Sequence, residues 1–298
     1  MAGAETGRRA EAGLLACALG VALLAPAPAR PAPGPRIRVR TFDFVDRSRS
    51  IRLPGGREVP RPLETVVRYP ATGGPEPLVV FGHGFALTPA TYAALLQTWA
   101  AAGYVVAAPV FPLENANAPG GPTETDLASE PRDLRFVLTA LLALSRRPHT
   151  ALTGRIDPSR IAVAGQSDGA VAALAVAYDR RYRDRRVRAA IILSGARLPG
   201  MGAFPRRGPP LLAVQGTADP LNAPATTAAY FRLAARPKFL LWLLGASHLA
   251  PYTDEQPQLA LVERVTLAFL DHYLRRGPLR AIAVAARPPG LARLVSDP

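Results

Sequence analysis

Arg160-Ile161-Ala162-Val163-Ala164-Gly165-Gln166-Ser167-Asp168-Gly169 is the stretch whose reading decides the fold. An apolar run of strand length ends in a serine between two glycines, and Ala170 to Tyr178 continues in small and apolar residues suited to a buried helix. Asp157-Pro158-Ser159 punctuates the chain just before the run. A G-x-S-x-G at a strand-to-helix junction is a nucleophile elbow, because small residues permit a turn sharp enough to lift the serine hydroxyl above the sheet. Ser167 is therefore the candidate nucleophile.

Outward from the elbow, strand-like and helix-like segments alternate. Leu63 to Tyr69 is a strand candidate, and Leu78 to Phe81 is a buried strand run that opens into Gly82-His83-Gly84-Phe85. Ala90 to Ala102 reads as a helix, Tyr104 to Ala108 as a strand, Pro109 to Asp126 as a long Pro/Gly/Asn loop and Leu127 to Ser145 as a helix. Val187 to Leu193, Leu211 to Gln215 and Phe239 to Leu244 are further strands, and Gln256 to Arg275 is an amphipathic helix. Serial β-α units of this kind predict an α/β class fold: a mainly parallel, doubly wound sheet with helices on both faces and its chemistry at the carboxyl ends of the strands. The organisation expected is a signal at residues 1–29, a leader with edge strands at 30–62, a catalytic domain at 63–276 and an apolar tail at 277–298.

With 298 residues the chain can bury one sizeable core. The net charge of +14 raises the question of nucleic acid. Nearly all of it is arginine, Lys238 being the only lysine, and the arginines are scattered apart from Arg180-Arg181-Tyr182-Arg183-Asp184-Arg185-Arg186, which reads as a solvated connection. Nucleic acid is thus excluded as the expected partner, while attraction to anionic surfaces is retained.

Residues 1–29 read as an export signal. Arg8-Arg9 supply the positive start, Gly13 to Ala25 the apolar stretch, and Ala27-Pro28-Ala29 the small-residue cleavage site. The apolar stretch falls short of the ~20 residues that span a bilayer, so no stable membrane insertion is expected. Cys17 is the only cysteine and lies within this signal, so the mature chain would carry no thiol or disulfide; hardly any apolar stretch precedes Leu14-Leu15-Ala16-Cys17, so a lipid anchor there is disfavoured.

A serine hydroxyl needs a histidine base, and the base needs a carboxylate to fix its tautomer. After Ser167 the histidines are His248 and His272. His248 stands in Gly245-Ala246-Ser247-His248, just past a strand, whereas His272 lies inside the terminal helix; His248 is the expected base. Asp219, in Gly216-Thr217-Ala218-Asp219-Pro220 at another strand end, is the expected acid, with Asp254 as its rival. Backbone amides of Phe85 and Asp168 are the expected oxyanion donors, held by the Gly82-His83-Gly84 loop in which His83 orients the backbone. Phe111 and Leu113 are candidates for the acyl pocket. No metal or other cofactor is expected: the histidines stand far apart and the mature chain lacks cysteine.

With these residues in place the chain resembles the secreted bacterial α/β-hydrolases grouped with dienelactone hydrolase, platelet-activating-factor acetylhydrolase, chlorophyllase and the polyester cutinases. The resemblance runs from about Thr65 to Leu274 and rests on Val79 to Phe85, Gly103 to Pro109, Arg160 to Gly169, Gly216 to Asp219 and Gly245 to His248. It implies Ser167 as nucleophile, Asp219 as acid, His248 as base and the Phe85 and Asp168 amides as oxyanion hole. Two departures stand out. Gln166 occupies a place where many relatives carry histidine, a change expected to be tolerated, and the cysteine nucleophile of dienelactone hydrolase is absent. The short Ser194 to Pro210 connection implies no large lid. The activity expected is hydrolysis of a small-molecule or polymeric carboxylic ester through an acyl-enzyme. The alternatives are acyl transfer with the same triad and a catalytically silent fold used for binding; the residues do not specify an oligomeric state.

Overall fold

The computed structural model describes residues 36–287 and 290–298. The proposed signal at 1–29, with Cys17, and the following residues to 35 lie outside the described residues. Nine strands form one sheet: β1 (Ile37–Arg52), β2 (Glu58–Pro70), β3 (Glu76–Gly82), β4 (Val105–Pro109), β5 (Ile156–Gln166), β6 (Val187–Leu193), β7 (Leu211–Gly216), β8 (Lys238–Leu243) and β9 (Ala292–Asp297). Their spatial order is β1-β2-β4-β3-β5-β6-β7-β8-β9. The central strands β4, β3, β5, β6, β7 and β8 pair in parallel, and antiparallel partners stand at both edges, β1 and β2 at one and β9 at the other.

The strands that pack on both faces read as unbroken apolar runs, as parallel strands must when helices cover them. Alternate residues supply two separate cores. Leu78, Val80, Ile161, Val163, Ala190 and Ile192 face α2 (Glu130–Arg146), α3 (Asp168–Tyr178) and α4 (Pro224–Leu233). Val79, Phe81, Ala162, Ala164, Ile191 and Leu212 face α1 (Ala93–Ala101), α5 (Gln258–Arg275) and α6 (Arg280–Ala285). Helix α2 shows how the face is chosen: Leu134, Val137, Leu138, Leu141 and Leu142 recur at three- and four-residue spacing and are buried, while Pro131 starts the helix where a missing N–H costs nothing. Helix α3 needs no such stripe, since every residue from Gly169 to Tyr178 is buried.

Three elements differ from the sequence reading. The segments between Arg36 and Arg61 form one long hairpin, with β1 paired to β2 from Ile37–Pro70 to Arg52–Glu58. Asp157-Pro158-Ser159 does not end before the strand; it bulges inside β5, where the register jumps from Glu76–Ile156 to Leu78–Ile161. The Asp157 carboxylate accepts the Ser159 N–H at 2.8 Å and the Ser159 hydroxyl at 2.6 Å, satisfying the Ser159 donors within the bulge, where Pro158 has no N–H to satisfy. Finally, the tail supplies α6 and the edge strand β9, which runs antiparallel to β8 from Lys238–Asp297 to Leu243–Ala292. Among the described residues no helix is long and apolar enough to cross a membrane.

Candidate active site

Strand β5 ends at Gln166 and α3 begins at Asp168, so Ser167 alone makes the turn, at φ 53° and ψ −120°. A non-glycine residue there is strained, and the surroundings hold it: the Ser167 N–H donates to the Leu193 carbonyl at 3.0 Å, while its carbonyl accepts from Ala170 and Val171, both at 2.9 Å. The flanking glycines are required by contact. A Cβ on Gly165 would lie 2.2 Å from the Gly169 carbonyl oxygen, and a Cβ on Gly169 would lie 2.2 Å from the backbone of Gly82. The donor loop after β3 therefore lies directly against the elbow.

The structure brings Ser167, His248 and Asp219 together. The Ser167 hydroxyl lies 2.9 Å from His248 Nε2, and His248 Nδ1 lies 2.8 Å from Asp219 Oδ2. Asp219 follows β7, and its Oδ1 accepts the Leu221 and Asn222 amides, both at 2.9 Å; Oδ2 also accepts Gln215 Nε2 at 2.9 Å. Burial works against the charge on Asp219, but the bonds from His248, Asn222, Leu221 and Gln215 outweigh it and hold the carboxyl below its ordinary range. An ionised Asp219 places the imidazole proton on Nδ1 and leaves the Nε2 lone pair facing the serine. Gln215 is itself fixed, accepting the Thr227 hydroxyl at 2.7 Å.

The other expected residues divide. Phe85, half-buried at the rim, and Asp168, at the first position of α3, have amides that donate to no protein acceptor among the described residues. His83 is fully buried: its Nε2 accepts the Phe111 N–H at 3.0 Å and its Nδ1 donates to the Gly84 carbonyl at 2.9 Å. Burial outweighs the bond to Gly84 and lowers its pKa to about 4, so it stays neutral. Phe111 does not line an acyl pocket. It is wholly buried, with its ring 4.7 Å from His83, because the loop turns inward to present its amide to that histidine. Leu113 is half-buried and its carbonyl accepts the Thr123 N–H at 2.8 Å. The rivals bond elsewhere: Asp254 is exposed and accepts the Thr253 hydroxyl at 2.9 Å, while His272 donates to the Gly277 carbonyl at 2.6 Å beyond the end of α5.

A cleft of about 430 Å³ beside the base is lined by Pro220, Ser247, His248, Leu249 and Asp254. A larger apolar groove of about 640 Å³ lies between the β1–β2 hairpin and the loops after β3 and β4, lined by Leu53, Val59, Val66, Pro89, Val110 and Pro112, with none of Ser167, Asp219 and His248 in its wall. Ser194 to Pro210 contains no helix, so that connection supplies no helical lid. Among the described residues no group of three or more His, Cys, Asp or Glu is arranged to hold a metal ion.

Several supporting residues were not evident from sequence. Gln215 and Gln166 each stand at the end of an apolar strand and are fully buried; a lone amide in such a run signals a partner it must satisfy. Glu114 and Glu130, also fully buried, gave no comparable signal, since a glutamate in a loop or at a helix start is ordinarily solvated.

Comparison with known proteins places this geometry in context. A family model described as Chlorophyllase matches residues 47–227, more than half of the chain, a span that includes the donor loop, the elbow and Asp219 but stops before His248. No curated protein matches the chain. Of the 972 matching chains of known structure, a ferulic acid esterase from Streptomyces cinnamoneus superposes with a TM-score of 0.64 at 24% identity, covering 88% of this chain and 96% of that one. That likeness identifies the α/β-hydrolase fold.

Proposed function

The chain belongs to the chlorophyllase family of esterase-type α/β-hydrolases, and from that premise we propose that it is a secreted serine hydrolase that cleaves carboxylic esters through an acyl-enzyme on Ser167. One observation carries the reading: an unbroken hydrogen-bond line from the Ser167 hydroxyl through both nitrogens of His248 to Asp219, at 2.9 and 2.8 Å. In this mechanism Ser167 Oγ attacks the ester carbonyl carbon as His248 Nε2 takes its proton. The negative charge that forms on the carbonyl oxygen is received by the Phe85 and Asp168 N–H groups. The imidazolium, stabilised by Asp219, then gives its proton to the departing alcohol, and the acyl-serine remains. A water deprotonated by the same nitrogen attacks the acyl carbon and releases the acid and the serine.

The lack of a helical lid between Ser194 and Pro210 suits short-chain or surface-presented esters. Export rests on the residues at 1–29, and cleavage after Ala29 is expected in N-terminal sequencing of the chain recovered from outside the cell.

The test is turnover of a chromogenic short-chain ester together with labelling by a serine-directed phosphonate. Wild-type protein should hydrolyse the ester and take up one phosphonate on Ser167, and Ser167→Ala should lose both while melting as before. Wild-type protein that neither turns over nor labels would sink the enzyme reading in favour of a binding role, and accumulation of a transesterified product with an added alcohol would redirect it to acyl transfer.

A further inference from the structure

Beside the nucleophile lies a buried side chain that the mechanism above does not use. Gln166, the last residue of β5, is fully buried, as is Tyr92 just before α1. The Tyr92 hydroxyl donates to Gln166 Oε1 at 2.6 Å and accepts the Gly84 N–H at 3.2 Å, and Gln166 Nε2 donates to the His248 carbonyl at 2.9 Å. The direction of this chain is fixed. A phenol has one proton, and here it faces the amide oxygen; the amide nitrogen can then only donate, and a carbonyl receives it. Gly84 precedes Phe85, and His248 carries the imidazole. One amide therefore connects the donor loop, the elbow and the base loop in a region closed to water, where such bonds hold geometry most tightly. Packing reinforces them: a Cβ on Gly84 would lie 2.8 Å from Gln166 Oε1, and the Tyr92 ring stands 4.9 Å from Phe81.

We propose that Gln166, acting through Tyr92, is a positioning residue that fixes the oxyanion donor of Phe85 and the base His248 relative to each other. A neutral imidazole also has one donor and one acceptor and can span the same partners. Once protonated it has two donors, one of which meets the Tyr92 hydroxyl proton, and the bridge to the donor loop breaks. Glutamine supplies the same pair without titrating, so the connection persists in acid.

The inference rests on the ester-hydrolase reading and is tested in the full chain with the same chromogenic ester. Gln166→Leu, close in volume, should lower kcat by about 10- to 100-fold, the loss typical of a misplaced catalytic group, with KM changed less than about threefold. Tyr92→Phe, which removes only the hydroxyl, should lower kcat in the same direction at an unchanged melting temperature. Gln166→His, which as a neutral imidazole offers the same donor and acceptor, should restore kcat to within about threefold of wild type at pH 9 while Gln166→Leu does not. Around the introduced imidazole, burial keeps the Tyr92 phenol well above its ordinary value and His83 neutral, its pKa lowered to about 4. Asp168, Asp219 and His248 are common to parent and variant. The proposal is overturned if Tyr92→Phe and folded Gln166→Leu keep kcat within twofold of wild type, or if Gln166→His is as impaired at pH 9 as Gln166→Leu. An inactive wild type would overturn the esterase reading instead.

Discussion

Asp219 and the Glu114–Glu130 pair are carboxyls removed from water at the same end of the sheet, and they are accommodated in opposite ways. Asp219 has a donor for each lone pair that matters: two backbone amides on Oδ1, and Gln215 with His248 on Oδ2. It stays ionised. Glu114 and Glu130 are wholly buried, and among the described residues no donor reaches any of their four oxygens except the other carboxyl. Burial pushes Glu114 up to about 7 and Glu130 well above its ordinary range, with nearby Asp168, Asp126, Asp133 and Glu124 adding like charge. Both carboxyls in that position are pushed toward their protonated forms. The contrast shows that the number of donors, not burial alone, decides whether a carboxyl inside this protein carries charge. The pair also bears on the rim, since the Glu114 carbonyl accepts the Ala86 N–H, one residue beyond Phe85, at 2.8 Å.

The sharpest way to break the comparison is Asp219→Asn, which keeps the shape and removes the charge. It should cost about 10⁴-fold in kcat by stabilising the wrong imidazole tautomer, with the fold intact; equal damage from Asp254→Asn and none from Asp219→Asn would reassign the acid. Next in size is a third buried arrangement, in which Arg61 bonds Asp126 at 3.0 and 2.6 Å and Asp133 at 2.7 and 2.6 Å. Arg61→Met leaves both carboxylates buried without that cation and should destabilise the protein by about 3–5 kcal/mol in denaturant titrations. Unchanged stability would show that Arg49, 2.7 Å from Asp133, suffices alone.

The smallest effect concerns the raised affinity of the glutamates for protons. A carboxyl with a raised pKa binds its proton more tightly in the folded chain than in the unfolded one, so its contribution is present in acid and is lost as pH rises through the folded value. Melting temperature should therefore fall between the ordinary value of 4.5 and about 7 for Glu114. Glu130→Gln supplies an amide donor to Glu114 and should flatten that decline; an identical slope in wild type and variant would refute the coupling of the two carboxyls.

Much of this was legible before any coordinates. Each apolar run from Leu78 to Leu244 became a strand or helix within a few residues of its expected limits, because strands covered on both faces must be apolar throughout. The three residues of the serine–imidazole–carboxylate line could be picked from sequence because each follows such a run, where the sheet delivers loops to one rim. What was obscure had long-range causes. Phe111 is an apolar residue in a polar loop, and only the distant His83 decides that it turns inward. Gln166 looked dispensable because its partners, Tyr92 and His248, lie 74 and 82 residues away. Ala292–Asp297 alternates too weakly to announce a strand, and its place follows from the open edge of β8.

The glycine contact between the elbow and the donor loop limits how such an enzyme diversifies. With Gly82 and Gly169 touching through their backbones, a single added methyl at either would wedge the nucleophile away from its electrostatic support. New substrate preferences in a lineage of this kind must arise in the outer loops, while the innermost layer stays closed to variation.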